Sequence, residues 1–157
     1  VFNKILLAVD RSDDAYRAVE KVIELQKKYG SEVVIFHSTE HKMIPNEFIL
    51  SVPYNNEYSY TLPMTDYYNI RDEYIRSGKN LLKEVEERFK KEQLKVETRL
   101  IEDKEPANYI IGITKKEKFD LVVLGCKGEH SKLRPVLLGT VAQKVLNEAH
   151  SDVYIVR

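Results

Sequence analysis

Lys4-Ile5-Leu6-Leu7-Ala8-Val9-Asp10 decides how the rest of the chain is read. The apolar residues from Ile5 to Val9 leave no polar face, so a strand here has to be buried on both sides, as strands of parallel sheets are. The run stops abruptly at a carboxylate, Asp10, and the segment reads as the central strand of a sheet. Immediately after it, Ser12 or Asp13 can cap a helix whose apolar positions Ala15, Ala18, Val19, Val22 and Ile23 recur at helical spacing as far as Gly30. Val33-Val34-Ile35-Phe36 then forms a second apolar run of strand-forming residues, ending at His37-Ser38-Thr39. Strand, helix and strand make a βαβ unit.

The same alternation continues downstream. Between about His41 and Tyr68 the periodicity disappears, with Pro45, Pro53 and Pro63 interrupting the backbone and Tyr54, Tyr58, Tyr60, Tyr67 and Tyr68 supplying aromatic surface. This stretch reads as a long loop or lid. Regular structure resumes near Tyr74, where Tyr74, Gly78, Leu81, Leu82, Val85 and Phe89 mark one face of a helix running to about Gln93. A strand is predicted at Val96 to Ile101, a helix opening at Pro106, and a strand buried on both faces at Asp120 to Gly125. The last helix carries Leu138, Val141, Ala142, Val145, Leu146 and Ala149, and Val153 to Val156 closes the chain as a strand. The alternation predicts an α/β fold: a single domain holding an open parallel five-stranded sheet with helices on both faces, Rossmann-like in character.

Composition narrows the function classes. The chain has 157 residues, with 25 basic and 25 acidic side chains, so no net positive field draws it to nucleic acid or to an anionic membrane. One cysteine, Cys126, cannot form an internal disulfide, and no apolar run approaches the length of a membrane span. The cytoplasm is the expected location. His41, His130 and His150 show no metal-ligand spacing, and His37, after an apolar strand, reads as a hydrogen-bonded structural residue.

Ligands of open parallel sheets bind beyond the carboxyl ends of the strands. Asp10, Ser38 and Gly125 are predicted to lie there. Gly125-Cys126-Lys127-Gly128 leads through a spacer into Gly139-Thr140 at the start of the last helix. Glycines let backbone approach a ligand, and a helix start offers N–H groups to phosphate. Each feature also has a plainer reading: the paired glycines as a tight turn, Gly139-Thr140 and Asp10 as helix caps. Cys126 reads as filling a small position in the turn, with a redox-sensitive thiol as the alternative.

Taken together, Gly125-x-x-Gly128, the spacer, Gly139-Thr140-Val141-Ala142-x-x-Val145-Leu146 and the closing Val153-Tyr154-Ile155-Val156 resemble the carboxyl-terminal signature of universal stress proteins. The opening Ile5-Leu6-Leu7-Ala8-Val9-Asp10-x-Ser12 resembles the start of the same family. The resemblance implies strand order 3-2-1-4-5 and, from the glycine pattern, membership of the ATP-binding branch. It further implies that Asp10 holds the ribose, that backbone at Ala8, Val9 and Ser38 frames the adenine, and that Gly125, Gly128, Gly139, Thr140 and Val141 receive the phosphates. ATP, ADP or AMP is the implied ligand, with Mg²⁺ or Mn²⁺ carried by the phosphates. A homodimer through the strand at 153–156 and an unidentified protein partner are also implied.

The chain departs from the family pattern at defined places. Ten residues, Glu129 to Leu138, separate Gly128 from Gly139, where the ATP-binding pattern has nine. Arg11 stands in place of a usual glycine, Lys104-Glu105 occupies a position where glycine is common, and Glu129 is offset by Lys127, Lys132 and Arg134. Three functions are therefore carried forward: a nucleotide-binding regulatory module with little or no hydrolysis, a dimeric protein-interaction module whose pocket Arg11 and Glu129 have closed, and an enzyme acting on an adenylated substrate. No phosphate loop of the Gly-Lys-Ser/Thr type accompanies the glycines. Gly139→Val is expected to block the phosphates while leaving the fold largely intact.

Overall fold

Apolar alternation within doubly buried strands produces two separate cores, one on each face of a parallel sheet. The computed structural model describes residues 1–39, 64–128 and 138–157, and the backbone of the short antiparallel pair Pro53–Tyr54 with Tyr58–Ser59; of residues 64–67 only the backbone is described. Five strands, β1 (Lys4–Ala8), β2 (Glu32–Ser38), β3 (Glu97–Ile101), β4 (Leu121–Gly125) and β5 (Asp152–Val156), pair in parallel in the order β3-β2-β1-β4-β5. This is the expected 3-2-1-4-5 order, with β1 at the centre.

Along β1, Ile5 and Leu7 point to one face and Leu6 to the other. The first face is covered by α1 (Asp13–Tyr29) and α2 (Met64–Lys91), through Ala18, Val19, Val22, Leu81, Val85 and Phe89. The second is covered by α3 (Pro106–Glu117) and α4 (Thr140–Glu148), through Ala107, Ile110, Ala142 and Val145. The order of strands reverses between β1 and β4, which opens a crevice at their carboxyl ends.

The helix ends follow the sequence signals. Ser12 caps α1 by accepting the Ala15 N–H at 3.1 Å, and Gly30 ends it in the left-handed region at φ 69°. Glu105, rather than a serine or aspartate, caps α3, with Pro106 in its first turn. α2 differs from expectation: it begins at Met64, inside the stretch read as a loop, instead of near Tyr74. Residues 64–73 lack an apolar stripe, which is why periodicity missed them, yet they contain no proline or glycine to stop a helix. An ion pair of 3.1 Å between Arg71 and Glu102 fastens this part of α2 to the end of β3. The rest of the 41–68 stretch, apart from the short strand pair, lies outside the described residues, as do Glu129, Lys132 and Arg134 of the spacer.

Candidate functional site

Three chain segments converge at the crevice, and each glycine there has a definite neighbour. β4 ends at Gly125, where an added Cβ would lie 2.9 Å from the Ala15 nitrogen and 2.9 Å from the Asp14 Cβ. Gly125 therefore makes room for the first turn of α1 to pack on β4. At Gly128 a Cβ would lie 3.1 Å from Asp10 Oδ2, so this glycine lets the turn close over the carboxylate at the end of β1. Gly139 donates its N–H to the Cys126 carbonyl at 2.8 Å, and a Cβ there would lie 3.1 Å from that same oxygen. The turn and the start of α4 are thus stitched together. Asp14, which the sequence reading passed over, holds the turn from the other side by accepting the Lys127 N–H at 2.9 Å. Its only sequence signal is that of an acidic residue in a first helical turn.

The result is a cavity of about 380 Å³. All nine residues singled out from the sequence, Ala8, Val9, Asp10, Ser38, Gly125, Gly128, Gly139, Thr140 and Val141, line it. Phe36, Leu124 and Ala142 add apolar floor, and Glu105 with Pro106 forms a wall that the site reading had not included.

Polar groups around this floor are arranged unevenly. On one side lies the start of α4, whose cap residue Gly139 provides no side-chain hydrogen bond. The first intrahelical bond runs from the Gln143 N–H to the Gly139 carbonyl at 2.9 Å, so the N–H groups of Thr140, Val141 and Ala142 precede the helical ladder. They carry the positive end of the helix dipole. On the opposite side, the start of α3 is already taken: Glu105 accepts the Ala107 and Asn108 N–H groups, each at 3.1 Å. Lys144 donates to Asn108 Oδ1 at 2.7 Å and so ties α4 to α3 behind the cavity.

At the inner end, Ser38 donates its hydroxyl to the Lys104 carbonyl at 2.6 Å, joining β2 to the connection after β3. The Thr39 N–H donates to Ile101 on the β3 side, while the Phe36 carbonyl accepts from Val9 on the β1 side. By strand alternation, the backbone N–H and C=O of Ser38 are turned toward β1, beyond the point where that strand ends at Ala8. Val9 contributes wall instead: its N–H is committed to Phe36 at 3.0 Å, and its carbonyl accepts from His37 Nδ1 at 2.8 Å. With a carbonyl as partner, Nδ1 carries the proton, and His37 is the hydrogen-bonded structural histidine that its position predicted.

Two residues singled out in the sequence, Arg11 and Cys126, resolve at this level. Arg11 does not enter the cavity. Its guanidinium runs outward to α2, where it reaches the Ser77 carbonyl at 3.4 Å and Glu84 at 3.8 Å. Cys126 is buried, its N–H donates to the Val156 carbonyl at 2.7 Å, and it fills the small position in the turn.

The profile of the Universal stress protein family matches residues 2–157. The chain belongs to the universal stress protein family. Universal stress protein YxiE of Bacillus subtilis is 28% identical over 157 residues, all of both chains. The solved structure of hypothetical protein MJ0577 superposes with a TM-score of 0.79 at 21% identity, covering 99% of this chain and 95% of the other. A universal stress protein from Archaeoglobus fulgidus, solved in complex with dAMP, superposes with a TM-score of 0.64 at 22% identity, covering 100% and 98%. These structural likenesses bear on the fold. No helix among the described residues is long and apolar enough to cross a membrane, and no group of three or more potential metal-ligating side chains occurs among them.

Proposed function

We propose that this universal stress protein is an adenine-nucleotide-binding regulatory module, with ATP, ADP or AMP lying across the crevice at the carboxyl ends of β1, β2 and β4. The observation that carries the reading is the uneven cavity, with the side-chain-free start of α4 on one side and Asp10 and the turned backbone of Ser38 across from it. Phosphates fit the α4 start, a ribose hydroxyl fits Asp10, and a base edge that both donates and accepts fits Ser38. The complex of a family member with dAMP supports the ligand class. Mg²⁺ or Mn²⁺ would enter on the phosphates, since these ions keep much of their own water and bind readily to phosphate oxygens.

Binding without rapid turnover is part of the proposal. Among the described residues, the two cavity carboxylates already serve as acceptors, Asp10 Oδ1 from Ser12 and both oxygens of Glu105 from α3. Neither is set up as a base for an attacking water. Arg11, whose presence favoured a closed pocket, is directed to α2, which removes one of the two grounds for the interaction-module reading. Cytoplasmic residence belongs to the same proposal, because adenine nucleotides are abundant there.

Dimerisation through β5 is proposed on the contrast between the sheet edges. The β3 edge carries Glu97 and Arg99, charges that discourage pairing, whereas β5 presents Val153-Tyr154-Ile155, with Tyr154 exposed.

The first experiment is to denature the purified protein and chromatograph the released small molecules, then titrate the emptied protein with ATP by calorimetry. Release of an adenine nucleotide near one per chain, or saturable rebinding, is expected. A folded protein that neither releases nor binds nucleotide would overturn the reading.

A further inference from the structure

We infer that Ser12 is a positioning residue that fixes the direction in which Asp10 presents its carboxylate, and thereby sets recognition of the sugar hydroxyls. The inference rests on the nucleotide reading of the cavity. Asp10 Oδ1 accepts two hydrogen bonds from the same residue, the Ser12 N–H at 2.9 Å and the Ser12 hydroxyl at 2.5 Å. That hydroxyl also accepts the Ala15 N–H at 3.1 Å as the cap of α1. Ser12 is buried and lines the cavity itself.

Three groups are consequently locked in series. The backbone of α1 holds the Ser12 hydroxyl, the hydroxyl holds Oδ1, and the planarity of the carboxylate then determines where Oδ2 lies. Oδ2 is directed to the glycine turn, 3.1 Å from the position of a Cβ at Gly128. A carboxylate with one oxygen bound twice loses most of its rotational freedom about χ2, so the entropy of orienting it is spent in folding rather than in binding. Asp10 alone, without Ser12, would still be charged and still be near the ligand. It would lose the hydroxyl bond that fastens Oδ1 to the start of α1.

Ser12 therefore acts on one part of the ligand only. Its loss should weaken ligands that carry the 2′ and 3′ hydroxyls and spare those that lack them, whereas a residue needed merely to cap α1 would affect both alike. Glycine separates the two roles, because it is itself well tolerated at a helix cap and removes the hydroxyl's bond to Oδ1 while keeping the one from the backbone N–H.

The test is calorimetric titration of wild type, Ser12→Gly and Ser12→Thr with ATP and with 2′,3′-dideoxy-ATP, with thermal melting to confirm that each variant is folded. Wild type is expected to prefer ATP by roughly tenfold, the scale of one hydrogen bond to a charged group. In Ser12→Gly that preference should collapse to about twofold through loss of ATP affinity, with dideoxy-ATP unchanged, and Ser12→Thr should restore it. Equal weakening of both ligands in Ser12→Gly, or an undiminished preference, would overturn the inference while leaving the nucleotide site standing. Wild type binding both ligands equally would also overturn it. Wild type binding neither would overturn the reading of the cavity and the inference with it.

Discussion

Gly125, Gly128 and Gly139 look equivalent in the sequence, and their neighbours make them different. Replacing Gly125 by alanine drives a Cβ to within 2.9 Å of the α1 backbone. Destabilisation of about 1–3 kcal/mol is expected, as for overpacked cores, and denaturant melts would show it whether or not nucleotide is present. Gly139→Val is a less clean probe than its sequence position promised, because a Cβ there stands 3.1 Å from the Cys126 carbonyl and strains the turn itself. Thr140→Val is the better test of the phosphate side: Thr140 is exposed at the first position of α4, so its hydroxyl can be removed without disturbing the core. ATP affinity should fall by roughly fivefold to tenfold, the scale of one charge-assisted hydrogen bond, with melting temperature unchanged. Unaltered ATP affinity in a folded Thr140→Val protein would remove that hydroxyl from the site. Asp10, Ser38 and the glycines were legible as candidates because strand ends in an open sheet are where ligands bind. Asp14 was not, because its contact with the Lys127 N–H joins distant positions that no local pattern encodes; Glu105 was not, because glutamate is outside the usual serine, threonine, aspartate and asparagine caps, although its bonds to Ala107 and Asn108 are local.

The elements follow the sequence wherever a period or a cap is present. α1 has both, a clear apolar stripe and caps at Ser12 and Gly30, and it was placed correctly at each end. The start of α2 had neither, and the helix was expected only from about Tyr74; continuation from residues already helical needs only the absence of a breaker. The cap of α3 carries a prediction. Glu105 satisfies two N–H groups at the start of α3, so Glu105→Ala should cost about 1 kcal/mol of stability. It should also free the α3 start to attract anions, and competition of ATP binding by inorganic phosphate should become stronger. A variant with wild-type stability would show that water replaces the cap without loss.

The whole molecule is held by two cores through the sheet and by ionic contacts at its rim. Arg99 on β3 reaches Glu117 on α3 through two bonds of 2.9 and 3.0 Å, and Lys4 on β1 approaches the same carboxylate at 3.4 Å. Hydrogen bonding from Arg99 holds the Glu117 carboxyl below its ordinary value of 4.5. A depressed folded-state value means stability that is fully present above pH 4.5 and lost as pH falls through the folded value. Glu117→Gln should therefore lower stability at neutral pH and flatten its decline in acid, as followed by urea melts across that range. An identical acid slope in both proteins would remove Glu117 from the transition. At the other edge of the sheet, the Val156 carbonyl accepts from Cys126, just after β4, and the Asp152 N–H donates to the Asp120 carbonyl, so alternation directs the N–H of Val153 outward. Val153→Pro removes that outward donor where an edge strand tolerates proline, and sedimentation should report monomer in place of the proposed dimer. A Val153→Pro dimer would exclude pairing through β5.

By itself, the sequence determined the order and type of the elements, the double burial of β1 and β4 and the segments that meet at the crevice, because hydrophobic period, caps and chain alternation are local properties. Only the tertiary structure decided what each of those residues does on arrival. Gly125 yields to α1, Gly128 to Asp10 and Gly139 to Cys126, Arg11 leaves for α2, and Glu105 closes one helix start while α4 remains without a side-chain cap. The glycine and Arg11 contacts join positions apart along the chain and depend on the separation and angle at which the layers pack; the two helix caps are local, and only the fold sets them around one cavity.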